Sequence, residues 1–421
     1  MQIITVFEHQ TIKLGQEFDR GEKLTEQSLK DFQKYYGEKG VPYFSLTHNG
    51  IRFNEYVGVI QIGNTIVEVL PKADKPDNND QKAKWRDILI HMLRAVGEFD
   101  IHAPSSSTLK LKPNSILDLY FELYIKEVEY LLNAGLVKQY RKVEGNVTSL
   151  KGNLLFGKHI QQNLTHQDRF YVRHTAYDVE HKLHHILYKA IRLLKSINTN
   201  ANLHSRIGSL MLHFPEMADI SVSEAIFEKL VFNRKTYPYK KAIDIAKLLL
   251  LNYHPDVSKG RANVLALMFD MNILWERFVY ISLRKNKPIN TTITAQASKD
   301  FWKPENGHRS STAIRPDIVV NKNSAECMVI DTKWKNLNGK NPSSEDLRQI
   351  YVYHEYYGAK RVALVYPGDA FHTKGSFVNP NLSNMEYTER MCSVISIEVM
   401  SDIKKWQKAI GSILISDLRT P

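Results

Sequence analysis

The sequence predicts an α/β core over residues 251–421, a mixed sheet flanked by helices, preceded by an N-terminal α+β region over residues 1–250. Three observations predict it. Two short runs rich in Val and Ile, 313–320 and 326–334, flank the turn-prone stretch Asn321-Lys322-Asn323-Ser324, as in a β-hairpin. A helix follows, started by Ser343-Ser344-Glu345-Asp346 and stopped at Gly358. A further strand at 361–366 closes a strand–helix–strand step, which requires a parallel crossover.

The other elements follow in order. Residues 1–75 read as largely β, with runs at 2–7, 56–62 and 64–70 and a turn at Gly63-Asn64. A polar connection covers 73–80, and helices are expected at 81–96, 114–135, 178–196 and 221–232, with strand signals around 138–150. The boundary between regions falls within 235–262, where Tyr237-Pro238 and Asn252-Tyr253-His254-Pro255 interrupt the pattern. A long helix is expected over 261–285, with Asn263, Asp270, Arg277 and Arg284 forming its solvated stripe. A strand at 291–297 leads into the hairpin, and a strand at 393–400 and a helix at 402–415 end the chain.

The hairpin carries the chemistry. Folded about Ser324, it places Asp317 opposite Asp331, with Cα atoms roughly 4.5–5.5 Å apart and side chains on one face. Lys333 lies two residues past Asp331, so it points to the same face. Two like charges so close require a cation between them. Oxygen ligands favour Mg2+, with Mn2+ able to replace it, over zinc. This arrangement suits metal-dependent phosphodiester hydrolysis, in which the ion offsets charge on phosphate oxygens and eases deprotonation of water. The competing reading is chance, because a loose "PD, spacer, D-x-K" pattern occurs in many chains. Glu276 lies on the helical face of Leu265, Phe269, Asn272, Tyr280 and Leu283, where a carboxylate needs a partner. That partner is either the same metal or an Arg at the core edge. Gln349 and Tyr353 share a helix face, flanked by Asp346 and Tyr357, and can hold substrate oxygens or orient Lys333.

These stretches resemble the PD-(D/E)xK nuclease superfamily, and Gln349-x-x-x-Tyr353 resembles the extra helix motif of its RecB-like branch. A closer resemblance is to the McrC family, nuclease subunits of modification-dependent restriction systems. The matching residues are Phe269-Asp270-Met271-Asn272-Ile273-Leu274-Trp275-Glu276-Arg277-Phe278, Ile314-Arg315-Pro316-Asp317-Ile318 and Val329-Ile330-Asp331-Thr332-Lys333-Trp334-Lys335. Asp346-Leu347-Arg348-Gln349-Ile350-Tyr351-Val352-Tyr353 and Leu364-Val365-Tyr366-Pro367 complete the set. Weaker likeness covers Val57 to Lys72 and Leu150-Lys151-Gly152-Asn153-Leu154, and the pattern departs at Asp178-Val179-Glu180-His181. The resemblance implies a Mg2+-dependent DNA endonuclease leaving 5′-phosphate and 3′-hydroxyl ends. Asp317, Asp331, the Thr332 carbonyl and Glu276 would serve the metal, and Lys333 the attacking water. It also implies a partner, a McrB-like hexameric AAA+ GTPase that recognises methylated double-stranded DNA and hydrolyses the GTP, contacted through residues 1–250.

Composition sets outer bounds. The chain has 421 residues, 43% hydrophobic and 24% charged, without low-complexity tracts or solenoid repeats. Two cysteines, Cys327 and Cys392, support neither a disulfide framework nor a cysteine zinc site. No signal-peptide pattern or membrane-length apolar run is present, so a cytoplasmic protein is expected. Net charge is +12, shared evenly: residues 251–421 hold 23 Lys/Arg against 17 Asp/Glu, the remainder 34 against 28. Such a balance suits an approach to DNA phosphates. Gly152-Asn153-Leu154-Leu155-Phe156-Gly157-Lys158-His159 nearly matches a P-loop, but His159 replaces the magnesium-binding Ser or Thr, so a strand turning into a loop is expected. His181, His184 and His185 lack the Glu of a metalloprotease helix and read as a surface cluster. Two other classes compete: a RecB-like repair or standalone restriction nuclease without a GTPase, and a non-catalytic regulator of a ring ATPase, which would need no carboxylate pair.

Overall fold

A computed structural model describes residues 2–18, 21–72, 79–96, 116–254, 264–305, 311–378 and 387–419. Most of the expected polar connection at 73–80, and Asn263 of the expected stripe, lie outside the described residues. The chain begins β1 (Gln2–Phe7), β2 (Thr11–Lys13), α1 (Glu26–Tyr36), β3 (Phe44–Thr47), β4 (Gly50–Phe53), β5 (Tyr56–Ile62), β6 (Thr65–Leu70) and α2 (Asn79–Val96). It continues through α3 (Ile116–Ala134), β7 (Gln139–Val147), β8 (Asn153–Leu154), α4 (Phe156–Asn163), β9 (Phe170–Asp178), α5 (Lys182–Ile197), α6 (Ala201–His213), α7 (Glu224–Glu228) and α8 (Lys240–Leu251). Next come β10 (Tyr253–His254), β11 (Val264–Asp270), α9 (Met271–Asn286), β12 (Ile293–Ala295), β13 (Lys299–Trp302), β14 (Thr312–Ile314), β15 (Ile318–Val320) and β16 (Met328–Thr332). The last elements are α10 (Ser344–Tyr357), β17 (Arg361–Pro367), β18 (Phe371–Val378), β19 (Tyr387–Ile397) and α11 (Ile403–Arg419). Among the described residues no helix is long and apolar enough to cross a membrane.

Two compact units result. One comprises residues 2–104 with 268–421, the other residues 105–267. This grouping differs from a division at residue 250, because β1–β6 and α2 pack with the C-terminal elements. Trp85 of α2 meets the indole of Trp334 edge-on at 6.4 Å, and α2 packs on α9. Buried aromatic contact of this kind, invisible in local sequence patterns, decides the grouping.

In the first unit a mixed six-stranded sheet has the order β12-β15-β16-β17-β19-β18. β16 pairs parallel with β17, as the crossover through α10 requires. β15 pairs antiparallel with β16, Ile318 opposite Ile330 and Val320 opposite Met328, which is the expected register. The expected strand 313–320 is broken at 315–317, so β14 leaves the sheet to pair with β13. One face buries Val319, Val329, Ile350, Tyr353, Leu364 and Tyr366 in a single cluster. Elsewhere in the unit, α9 packs on α11, bringing together the rings of Trp275, Phe278 and Trp406.

The helix expected at 261–285 begins only at Met271; the described residues before it form β11. Val264, Leu265, Ala266 and Leu267 are all buried, a continuous apolar run typical of an interior strand. Asp270 therefore caps α9, accepting from the N–H groups of Asn272 and Ile273, instead of belonging to a solvated stripe.

In the unit of residues 105–267, α3, α5, α6 and α8 pack together beside the sheet β7-β9-β8. The expected helix at 178–196 starts at Lys182, after β9 has ended, and that at 221–232 shrinks to the five residues of α7. The P-loop-like stretch is a short strand entering helix α4, not a loop. Gly152 has φ +71°, and a Cβ there would lie 2.3 Å from the Arg173 carbonyl, so the glycine serves close strand approach. The histidines do not form a surface cluster. His184 is fully buried, its Nε2 3.0 Å from the Tyr239 hydroxyl, while a His181 ring nitrogen meets the Val137 carbonyl at 2.8 Å. Burial lowers the His184 pKa to about 4, so it is a neutral core residue.

Candidate active site

The site forms where β15 and β16 end. Asp317 sits at the bend just before β15, and Asp331 and Thr332 are the last residues of β16. Thr332 donates twice to Asp317 Oδ2, from its N–H at 2.7 Å and its hydroxyl at 2.8 Å. That double bond fixes one carboxylate oxygen and leaves the Thr332 side chain unable to face substrate.

Asp331 is 1% exposed, yet neither carboxylate oxygen accepts a hydrogen bond. Lys333 Nζ lies 2.9 Å from Oδ2, an ion pair that lacks hydrogen-bond alignment. Burial, then the nearby charge of Asp317, raises the Asp331 pKa to about 6 despite this ammonium. Burial raises Asp317 as well. For Lys333, burial opposes the charge, but Asp331 and Asp317 outweigh it and the pKa stays raised. The lysine is thus a fixed cation at neutral pH.

Helix α10 steers that cation. Lys333 Nζ donates to Gln349 Oε1 at 3.1 Å, Gln349 Nε2 to the Tyr353 hydroxyl at 3.0 Å, and Tyr353 to the Arg315 carbonyl at 3.2 Å. The relay runs from the lysine to the backbone two residues before Asp317. Of the two roles open to Gln349 and Tyr353, orientation of Lys333 is the one these bonds support.

Glu276, on α9, accepts from the side-chain amide of Gln296. Burial raises its pKa to about 7, and the charges of Asp317 and Asp331 add to the rise. It therefore feels both carboxylates, opposed by the Gln296 hydrogen bond and the charge of Arg277. Among the described residues no three His, Cys, Asp or Glu side chains form a group able to hold a metal. Glu276 is a neighbour of the carboxylate pair.

Sequence reading missed several supports. Gln296 has φ +51°, unusual outside glycine, and it also donates its N–H to the Asp317 carbonyl at 2.9 Å. No residue pattern announces that conformation. Lys335 pairs with buried Asp346 at 2.6 Å, and Tyr366 donates to the same oxygen at 3.0 Å. Asp346, three residues after the cap Ser343, was recognisable as a helix-start acid, but its partners come from β17 and the loop after β16.

Glu8 is the least expected neighbour. Its Oε1 accepts from Trp334 Nε1 and from the Lys72 N–H, both at 2.7 Å, while Oε2 is buried without a partner. Burial raises its pKa to about 7. A raised carboxyl pKa favours the protonated folded state, so this stability is complete below pH 4.5 and lost as pH rises through about 7. Glu8→Gln is therefore expected to remove a loss of about 2–3 kcal/mol between pH 5 and pH 8, read by urea melts at both values. An unchanged pH dependence would show that Glu8 ionises freely.

The donor set fits a hard cation. Mg2+ is bound through one or two carboxylates while retaining waters, and two carboxylates with the buried Asp331 Oδ1 left without a partner meet that need. Fold and site together define a mixed α/β protein with a carboxylate pair, one member buried and one half-buried, and a tethered lysine at adjacent strand ends. The chain belongs to the family described as "McrBC 5-methylcytosine restriction system component", which matches residues 51–367. Among solved structures it is similar to a chain of the "Refined half-complex from tetradecameric assembly of Thermococcus gammatolerans McrB AAA+ hexamers with bound McrC". That likeness has TM-score 0.70 and 20% identity, covering 98% of this chain and 100% of the other. A second similarity, to the Thermococcus gammatolerans McrBC complex, has TM-score 0.48 and 23% identity over 68% and 88% of the chains. No curated protein matches the sequence.

Proposed function

We propose that this chain is the Mg2+-dependent DNA endonuclease subunit of a McrBC-type restriction complex, built on a PD-(D/E)xK core. One observation carries the reading: the buried Asp331 carboxylate sits beside Asp317 and is paired with a helix-oriented lysine. Asp317, Asp331 and the Thr332 carbonyl would hold the ion, with Glu276 adjacent. When bound, Mg2+ supplies charge compensation at the phosphate and acidity to water. Lys333, held by Gln349 and Tyr353, orients the attacking water and stabilises the charge of the pentacovalent phosphorus. The products are a 5′-phosphate and a 3′-hydroxyl.

The partner is a McrB-like hexameric AAA+ GTPase acting on methylated double-stranded DNA, and the GTP is its substrate. The near-P-loop of this chain is filled by Leu154, Leu155 and Phe156, which leaves no phosphate cradle. Residues 1–250 carry the contact, and Phe156, Ile160 and Leu164 form an exposed apolar stripe along α4 suited to it. Plasmid cleavage tests this. The chain alone is expected to cut poorly with Mg2+, and addition of the ring subunit and GTP to activate it. Vigorous cutting by the chain without GTP would overturn the partnership.

A further inference from the structure

The ribbon β13–β14 stands apart from the six-stranded sheet and pairs only with itself among the described residues. Its base is fastened to α10: Tyr357 donates to the Ala297 and Ile314 carbonyls, and Lys299 donates to the Tyr356 carbonyl. Farther out the ribbon carries Phe301 and Trp302, 42% and 59% exposed. A register shift between Asp300 and Trp302 marks a β-bulge, a device that re-aims side chains. Trp85, Trp275, Trp334 and Trp406 are all buried, so Trp302 is the one exposed tryptophan of the chain's five.

An exposed Trp beside an exposed Phe is costly on a monomer surface and marks a contact site. Position identifies the occupant. β14 runs through Arg315 and Pro316 directly into Asp317, at most about 10 Å of extended chain away. Exposed Lys303 adjoins Trp302 and exposed Arg315 lies at the base of the ribbon, while Asp300 is engaged by Ser311. A two-stranded ribbon fits a DNA groove, and an aromatic wedge inserted at a kinked, unstacked base step stacks on the base it exposes.

Resting on the nuclease reading above, we infer that the β13–β14 ribbon is a DNA-contact element in which Trp302, backed by Phe301, packs on bases flanking the cut. The ring of Phe301 is itself braced by Tyr356, centroids 4.9 Å apart, which preorganises the ribbon for that contact.

Tryptophan fluorescence of the full chain in EDTA, titrated with a duplex oligonucleotide, tests the inference. DNA is expected to quench the red-edge emission and to block iodide access, and Trp302→Phe to remove that signal while retaining binding. Trp302→Ala is expected to weaken duplex binding about 5- to 150-fold, the range for one aromatic–base stack. Heparin, equally anionic but without bases, is expected to leave the emission unchanged. Equal quenching by heparin, a response to the ring subunit but not to DNA, or wild-type binding by Trp302→Ala would each overturn it. The two readings fail separately. Asp331→Asn that still cleaves removes the nuclease assignment, whereas a silent Trp302 with inactive Asp331→Asn removes only the ribbon.

Discussion

Replacing Asp331 with Asn is expected to slow plasmid cleavage by at least about 10²–10³-fold while making the metal-free protein more stable. The rate loss follows from removing one of two carboxylates that hold the ion, and with it charge stabilisation in a buried site. The stability gain follows from the raised pKa. Asp331 ionises near pH 6 in the folded chain, because burial and Asp317 oppose its charge. Its stabilising protonation is complete below pH 3.8 and is lost as pH rises through about 6, so at pH 8 the wild type carries the full penalty. Asn carries none. The gain is about 1–3 kcal/mol at pH 8 and shrinks towards pH 4, less what the orphaned amide costs. Urea melts in EDTA at pH 5 and pH 8 check the second half, and gel assays with Mg2+ the first. A variant that cleaves at the wild-type rate would sink the assignment, and one that melts earlier at pH 8 would show that the Lys333 pairing outweighs repulsion.

The second large effect is structural. Trp275→Ala is expected to cost about 3–5 kcal/mol, read as a fall in the urea midpoint. Trp275 is fully buried, with the rings of Phe278, Trp334 and Trp406 within 6.2 Å between centroids. Its Nε1 also reaches the Val365 carbonyl at 3.5 Å, a long bond to the strand beside Asp331. Truncation leaves a cavity between α9, α11 and the six-stranded sheet that neighbouring rings cannot fill without moving. Trp275→Phe keeps most of the volume and is expected to lose clearly less. Equal losses for both would place the cost elsewhere than in packing.

Much of the site was legible because it is local. Asp317, Asp331 and Lys333 sit on one hairpin, and strand alternation with a short turn fixes register over such a distance. Gln349 and Tyr353 were legible for the same reason, since a spacing of four fixes their common face. Glu276 was found by its polarity on an apolar face, although its helix was expected to begin well before Met271. The apolar run before Asp270 satisfies helical and buried-strand patterns alike, and only its burial on all sides separates them. The histidines at 181–185 failed for a related reason. A polar residue on an amphipathic helix reads as exposed until a distant tyrosine, Tyr239, is seen to satisfy it. Gln296 and Glu8 depend on contacts between segments apart in sequence, and Lys335 on the way the loop after β16 folds back on α10, none of which periodicity records.

Glu8 grips the indole immediately beside Lys333, and Trp85 closes on the other side of that ring. The C-terminal region is therefore not a cassette that can be excised at residue 250. Cut there, Trp334 would lose its anchor and open to water, one residue from the Lys333 ammonium.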